Sequence, residues 1–109
     1  LAVAHDIFII VDEVYREFIY TEQSHYSVLK SEKGSEHAVM IDSVSKRYSL
    51  CGARVGCMIS KNRALMATAL KFAHLRLSPP TLALMASEAA VSSPSSYLHD
   101  IKKEKLILQ

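Results

Sequence analysis

Three short apolar runs separated by polar segments organise the first half of the chain. The first, residues 7–11, is apolar at every position, which predicts a strand buried on both faces of a parallel sheet covered by helices. The second, residues 39–41, follows about 27 residues later, which is enough for a right-handed crossover that returns the chain in parallel. The third, residues 55–59, comes after only about a dozen residues, which form a segment too polar to hold a crossover helix. We therefore predict that it runs antiparallel, towards the edge of the sheet.

The second half of the chain has helical patterning. Residues 61–75 predict an amphipathic helix with Ser60 as its N-cap, and a pair of prolines ends it. Residues 81–91 predict a second helix, which we expect to be buried because alanine and leucine occur on several of its faces. Ser93 as cap and Pro94 as first helical residue start a third. The predicted fold class is α/β: part of a three-layer sandwich with a mostly parallel sheet, two parallel strands plus one antiparallel, and C-terminal helices.

Polar side chains follow two of the predicted strands at the point where each ends. Asp12 and Tyr15 come after the first apolar run, and Ser43, Ser45 and Lys46 come after the second. Ligands of open α/β sheets bind outside the carboxyl ends of the strands. If the two strands are adjacent and parallel, these side chains meet at one edge.

The residue types at this edge suit an aldehyde that carries a phosphate. An uncharged lysine amine, here that of Lys46, can form a Schiff base with an aldehyde. Ser43 and the later Arg54 offer a hydroxyl and a guanidinium, which suit a phosphate. A carboxylate such as Asp12 can keep a pyridine nitrogen protonated. Together these groups indicate pyridoxal phosphate, whereas the lysine segment alone is more typical of a solvated loop.

Three short motifs resemble the class I and II aminotransferases, which are pyridoxal-phosphate-dependent enzymes of fold type I. The motifs are Asp12-Glu13-Val14-Tyr15, Ser43-Val44-Ser45-Lys46 and Gly52-Ala53-Arg54-Val55-Gly56. The resemblance implies transamination between an amino acid and a 2-oxo acid by a cytoplasmic homodimer, with no nucleic-acid or membrane partner.

The resemblance also assigns roles to six residues. Lys46 is the implied catalytic residue, which binds the cofactor and moves a proton. The implied cofactor contacts are Asp12 at the ring nitrogen, Tyr15 at the ring hydroxyl, and Ser43, Ser45 and Arg54 at the phosphate. Of these contacts, the one assigned to Ser45 has the least support, since this residue could instead serve only to shape the turn. Without Lys46, Asp12 could equally cap a turn and Tyr15 could be a half-buried core ring.

Two other functions remain open. The first is a lyase or synthase of the same fold; Tyr15 argues against the acyltransferase-like synthases, which usually carry a histidine after Asp-Glu-Ala. The second is a non-catalytic, cofactor-sensing domain of an aminotransferase-like transcriptional regulator.

The length of the chain bears on its domain organisation. Aminotransferases of this type are several times longer than 109 residues. Residues 1–4 are typical of the end of a helix, and residues 102–109 carry no C-cap signal. We interpret residues 1–93 as the C-terminal half of the cofactor-binding large domain and residues 94–109 as the start of the interdomain helix. Because other parts of the family's site lie outside these residues, we expect this fragment alone to be inactive.

Composition argues against other classes of protein. The net charge is +2 and half of the residues are hydrophobic. The basic residues are scattered except for Lys102, Lys103 and Lys105, which favour a solvated helix face over a nucleic-acid patch. No apolar run reaches the roughly 18 residues of a membrane span. Cys51, Cys57 and the histidines have no metal or disulfide spacing, so we predict no metal site and a reduced, cytoplasmic compartment. We assign structural roles to the two remaining acidic residues of the motif regions, Glu13 and Asp42.

Overall fold

The computed structural model describes residues 1–107, with side chains up to residue 104. The described residues form three strands and five α-helices, and the strands precede the three longer helices. They are α1 Ala2–His5, β1 Ile9–Asp12, β2 Ala38–Ser43, α2 Val44–Arg47, β3 Gly56–Ile59, α3 Arg63–Arg76, α4 Thr81–Val91 and α5 Ser95–Ile107. Three 3-10 turns, Val28–Lys30, Ser35–His37 and Cys51–Ala53, shape the connections.

The strands form one mixed sheet in the order β1-β2-β3. β1 and β2 are parallel, with Ile9 opposite Ala38 and Asp12 opposite Ile41. β2 and β3 are antiparallel, with Ser43 opposite Gly56. The predicted α/β class and the antiparallel edge strand are confirmed. The crossover between the parallel strands contains two 3-10 turns and no α-helix among the described residues.

The buried core lies on β2. The prediction that β1 and α4 are buried is wrong. Ala38, Val39 and Met40 are buried, whereas Ile10 of β1 is 73% exposed. In α4 the bounds match the prediction, but Leu82 is 80% exposed. Apolar patterning shows which faces a chain can bury, but it does not say whether elements of the same segment cover them. Among the described residues, no element covers β1 on both faces.

The start of α3 differs from the prediction. Asn62, and not Ser60, is the N-cap, since its Oδ1 accepts a hydrogen bond from Leu65 N at 2.9 Å. The Ser60 hydroxyl donates instead to the carbonyl of Ala38 at 2.7 Å. Ser60 therefore joins the end of β3 to the start of β2, a tertiary role that competes with capping.

The start of α5 lies one residue later than predicted. The helix begins at Ser95, directly after Pro94. The hydroxyl of Ser93 donates to the carbonyl of Ala89 at 3.5 Å, so this side chain bonds to the end of α4. Of the predicted lysine face, Lys102 is half-buried and Lys103 is exposed, while the side chain of Lys105 lies outside the described part.

Candidate functional site

The parallel pairing brings the ends of β1 and β2 to one edge of the sheet. Asp12 is paired with Ile41, and the next backbone N–H, that of Glu13, donates to Ile41 O at 2.9 Å. Ser43 closes β2 at the same edge. The segment that carries Asp12 and Tyr15 thus lies beside the one that carries Ser43, Ser45 and Lys46, as predicted.

Lys46 lies in a helical turn, although a loop was expected. The hydroxyl of Ser43 accepts a hydrogen bond from Ser45 N at 3.2 Å and caps α2, a short helix closed by Tyr48 N to Val44 O. The side chain of Lys46 is exposed, and its Nζ lies 5.8 Å from the centroid of the Tyr15 ring. That distance is within the range of a cation–π contact, so the side chains of the lysine and the tyrosine lie next to each other.

Asp12 and Tyr15 are both open to a ligand. One carboxylate oxygen of Asp12, Oδ1, accepts from Val14 N at 3.1 Å and shapes the turn after β1. Tyr15 is 57% exposed, and its ring lies 6.0 Å from that of Phe18. The turn-capping role of Asp12 is therefore present, and it leaves the second oxygen available.

Arg54 follows a 3-10 turn in a left-handed conformation, with φ 56° and ψ 37°. Its Nη1 donates to Cys51 O at 3.0 Å, which leaves other N–H groups of the guanidinium available. Ser43, Ser45 and Arg54 line one open groove of about 850 Å³. Lys46, Asp12 and Tyr15 are not among the described residues that line it, so the site has two parts that meet at Ser43 and Ser45.

Ion pairs that the sequence did not reveal join Asp42 and Arg47, which are buried, to Arg16 and Glu17, which are partly exposed. Asp42 Oδ2 is 2.7 Å from Arg47 Nη2 and 3.3 Å from Arg16 Nη2, and Arg47 Nε is 3.7 Å from Glu17 Oε1. Burial alone lowers the pKa of Arg47, but the charge and hydrogen bond of Asp42 outweigh it and raise that pKa. The sequence signal for these ion pairs was the presence of charged residues next to the motif residues. Which of them pair could not be predicted, because the pairing depends on the register of the sheet.

A second buried carboxylate, Glu13, holds the crossover. Its oxygens lie 2.7 Å from His25 Nε2, 3.0 Å from Ser27 Oγ and 2.9 Å from Val28 N. Burial by itself raises the pKa of Glu13, but these hydrogen bonds outweigh it and hold that pKa below its usual value. The structural roles assigned to Glu13 and Asp42 agree with these contacts.

Three observations concern metal ligands, thiols and apolar helices in the described part of the chain. No group of three His, Cys, Asp or Glu residues there could hold a metal ion. Cys51 and Cys57 are both free thiols. Among the described helices, none combines the length and hydrophobicity that crossing a membrane requires.

Comparison with known proteins decides the family. The sequence profile described as "Aminotransferase class I and II" matches residues 1–109. The chain belongs to this family. Members of the class I and II aminotransferases use pyridoxal phosphate.

Relatives of this aminotransferase chain agree with that assignment. It is 30% identical over 100 residues to the aspartate aminotransferase of Bacillus subtilis (strain 168), covering 91% of the chain and 25% of that protein. It is 32% identical over 105 residues to the aspartate aminotransferase of Thermotoga maritima, covering 96% of the chain and 28% of that protein. The crystal structure of an aromatic aminotransferase from Pyrococcus horikoshii OT3 matches with a TM-score of 0.79 and 26% identity, covering 94% and 28%. The chain therefore spans about a quarter of the length of these relatives.

The side chains at the sheet edge fit pyridoxal phosphate. Lys46 is an exposed primary amine with no ion pair to any described residue. Two hydroxyls and the remaining N–H groups of Arg54 in one groove form a suitable donor set for a phosphate. Asp12 offers a free carboxylate oxygen to a protonated ring nitrogen.

Proposed function

We propose that this chain forms part of a pyridoxal-phosphate-dependent aminotransferase, which transfers an amino group between an amino acid and a 2-oxo acid. The observation that carries the proposal is the meeting of the two motif segments at one sheet edge, with Lys46 Nζ 5.8 Å from the Tyr15 ring. The names of the relatives, aspartate and aromatic aminotransferases, support the same reaction.

In this proposal the cofactor is held at two ends. Asp12 would bind the ring nitrogen through its carboxylate, and Tyr15 would donate its hydroxyl to the ring oxygen. Ser43, Ser45 and Arg54 would bind the phosphate, because they line one groove and offer two hydroxyls and a guanidinium.

Lys46 would carry the chemistry. Its Nζ would hold the cofactor in the resting protein and would take up and return a proton as general base and general acid. When bound, pyridoxal phosphate supplies the electron sink that makes the alpha proton of an amino acid removable. The Tyr15 ring would keep Nζ at this edge through the cation–π contact.

The proposal extends to the setting of the whole protein. Residues 1–93 would be the C-terminal half of its large domain and residues 94–109 the start of the interdomain helix. The whole protein would be a cytoplasmic homodimer in amino-acid biosynthesis, without nucleic-acid or membrane partners. The 109-residue chain alone would bind the cofactor weakly and show no turnover; measurable transamination by it would contradict this part.

Mass spectrometry after incubation with pyridoxal phosphate and borohydride reduction tests the proposal. We expect one dominant adduct that maps to Lys46 and disappears in Lys46→Ala. Lys61→Ala, at another exposed lysine, is the matched control and should keep the adduct. Adducts spread evenly over the exposed lysines and unchanged in Lys46→Ala would contradict the assignment.

A further inference from the structure

A cluster of four charged side chains joins the two segments that carry the proposed site. Arg47 on α2 contacts Asp42 at 2.7 Å and Glu17 at 3.7 Å. Arg16 contacts the same two acids, Asp42 at 3.3 Å and Glu17 at 3.6 Å. Arg16 and Glu17 follow β1, whereas Asp42 and Arg47 belong to the end of β2 and to α2. The cluster therefore closes a ring of ion pairs between the two segments.

Three members of this cluster are sequence neighbours of proposed site residues. Asp42 precedes Ser43, Arg47 follows Lys46, and Arg16 follows Tyr15. In each pair one side chain is available to a ligand while its neighbour turns towards the cluster. Successive side chains of a strand point to opposite faces, and adjacent residues of a helix lie on different sides of it, so the backbone accounts for this division at Asp42–Ser43 and at Lys46–Arg47. Tyr15 and Arg16 lie in the turn after β1.

Two members of the cluster, Asp42 and Arg47, are buried. Asp42 is 7% and Arg47 9% exposed, and the buried Nε of Arg47 makes no hydrogen bond among the described residues but lies 3.7 Å from Oε1 of Glu17. Removing one partner leaves an uncompensated buried charge, whereas a hydrophobic pair of similar size would often be equally stable. A charged ring at this place is therefore better explained by the need to fix geometry than by stability alone.

We propose that Arg47 is a positioning residue: its ion pairs to Asp42 and Glu17 hold the turn that carries Lys46 at a fixed place relative to the Tyr15 segment. The proposal rests on the proposed function, because it assigns Lys46 as the residue whose position matters. A displacement of about 1 Å at a reacting group can lower a rate up to about 100-fold, so a positioning residue has a measurable effect.

The first test measures the pyridoxal phosphate concentration that gives half-maximal borohydride-trapped adduct at Lys46 in the whole protein. We expect Arg47→Met to raise that concentration by at least about ten-fold and Arg47→Lys to raise it less, since a lysine keeps the charge but lacks the planar fork of donors that the guanidinium offers the two acids. Val39→Ala is the control: it removes buried volume near the start of β2 without removing an ion pair of the cluster, and should leave the concentration unchanged below its melting temperature.

The second test needs no cofactor. Hydrogen exchange of the backbone amides should become faster in Arg47→Met both at residues 44–47 and at residues 14–18, because the ring joins the two segments. Faster exchange at residues 44–47 alone would show a local role and would overturn the proposal. If Arg47→Met does not fold, Glu17→Gln at a half-exposed side chain removes two of the four ion pairs of the ring, those to Arg16 and Arg47, and should speed exchange in the same two segments.

The outcomes separate this proposal from the proposed function. No adduct at Lys46 in the unmodified protein would refute the function and with it the reason for positioning. An adduct at Lys46 whose concentration dependence is the same in Arg47→Met and Val39→Ala would leave the function standing and overturn the role of Arg47.

Discussion

Asp12 and Glu13 are neighbouring carboxylates with opposite surroundings. Asp12 lies exposed at the sheet edge with one oxygen on Val14 N, whereas Glu13 is 3% exposed and receives three hydrogen bonds. Side chains alternate between faces along a strand, so one carboxylate is left for a ligand and the next is committed to the crossover. The same residue chemistry therefore serves two purposes because of its position.

Glu13→Gln should change how stability depends on pH. The hydrogen bonds lower the pKa of Glu13 in the folded state, so its charge stabilises the fold above the unfolded pKa of about 4.3, and this contribution is lost as pH falls through the folded pKa. Urea unfolding should show the variant less stable at neutral pH and close to the unmodified chain under strongly acidic conditions. The matched control is Glu32→Gln at an exposed site. A deficit of the same size at every pH would show that the charge of Glu13 is not the cause.

Arg54→Lys should weaken pyridoxal phosphate binding by about ten-fold, because lysine loses the fork of donors that a guanidinium offers a phosphate. Titration of the protein with the cofactor, followed by absorbance, measures the change. Arg63→Lys makes the same substitution at an exposed residue of α3 and should bind normally. Equal affinity in both variants would remove Arg54 from the phosphate site.

At the scale of elements, the sequence predicted the strands and their relative directions but not the environment of each element. The run at residues 7–11 predicted a strand, and the short polar connection predicted the antiparallel β3, because chain length restricts connections. The exposure of β1 and α4 was not predictable, since it depends on which elements pack against them. Asn62 replaced Ser60 as the cap because Ser60 finds a carbonyl on β2, which is distant in sequence.

The close approach of β3 to β2 depends on Gly56. A Cβ at this position would meet Asp42 O at 3.0 Å and Ser43 Cβ at 3.3 Å. Gly56→Ala should therefore push the strands apart beside Ser43 and lower the free energy of unfolding by about 1–3 kcal/mol. Gly52→Ala, where an added Cβ meets nothing within 4 Å, should change it by less than about 0.5 kcal/mol. Urea unfolding compares the two, and similar losses would contradict the steric explanation.

At the scale of the whole molecule, the sequence predicted the residues that meet at the sheet edge better than those that hold them in place. Asp12, Ser43 and Lys46 follow apolar runs, and the ends of parallel strands meet by geometry. The pairing of Arg47 with Glu17 depends on three-dimensional register across the sheet edge, for which the local sequence carries no periodic signal.

The chain as a whole exposes apolar side chains on its sheet and helices. Ile10 on the edge strand β1 and Leu82 on α4 are among the most exposed of them. An unpaired edge with apolar residues favours association with another copy, so the isolated chain should sediment as larger species at higher concentration. Ile10→Lys should shift it towards the monomer in analytical ultracentrifugation, while Ile10→Val should not. Concentration-independent sedimentation of the unmodified chain would contradict this expectation.

The mixed topology of the sheet also has a consequence for the order of assembly. The antiparallel β2–β3 pair joins segments that are closer in sequence than those of the parallel β1–β2 pair, and shorter loops close with less loss of entropy. Ser43 and Arg54 should thus come together early in folding, and Asp12 should arrive last. Refolding kinetics would show this as slower folding for Met58→Ala in β3, and faster unfolding for Val11→Ala in β1. In a refolding chain, Ser43 and Arg54, the proposed phosphate contacts, would then come together before Asp12, the proposed contact of the ring nitrogen, joins them.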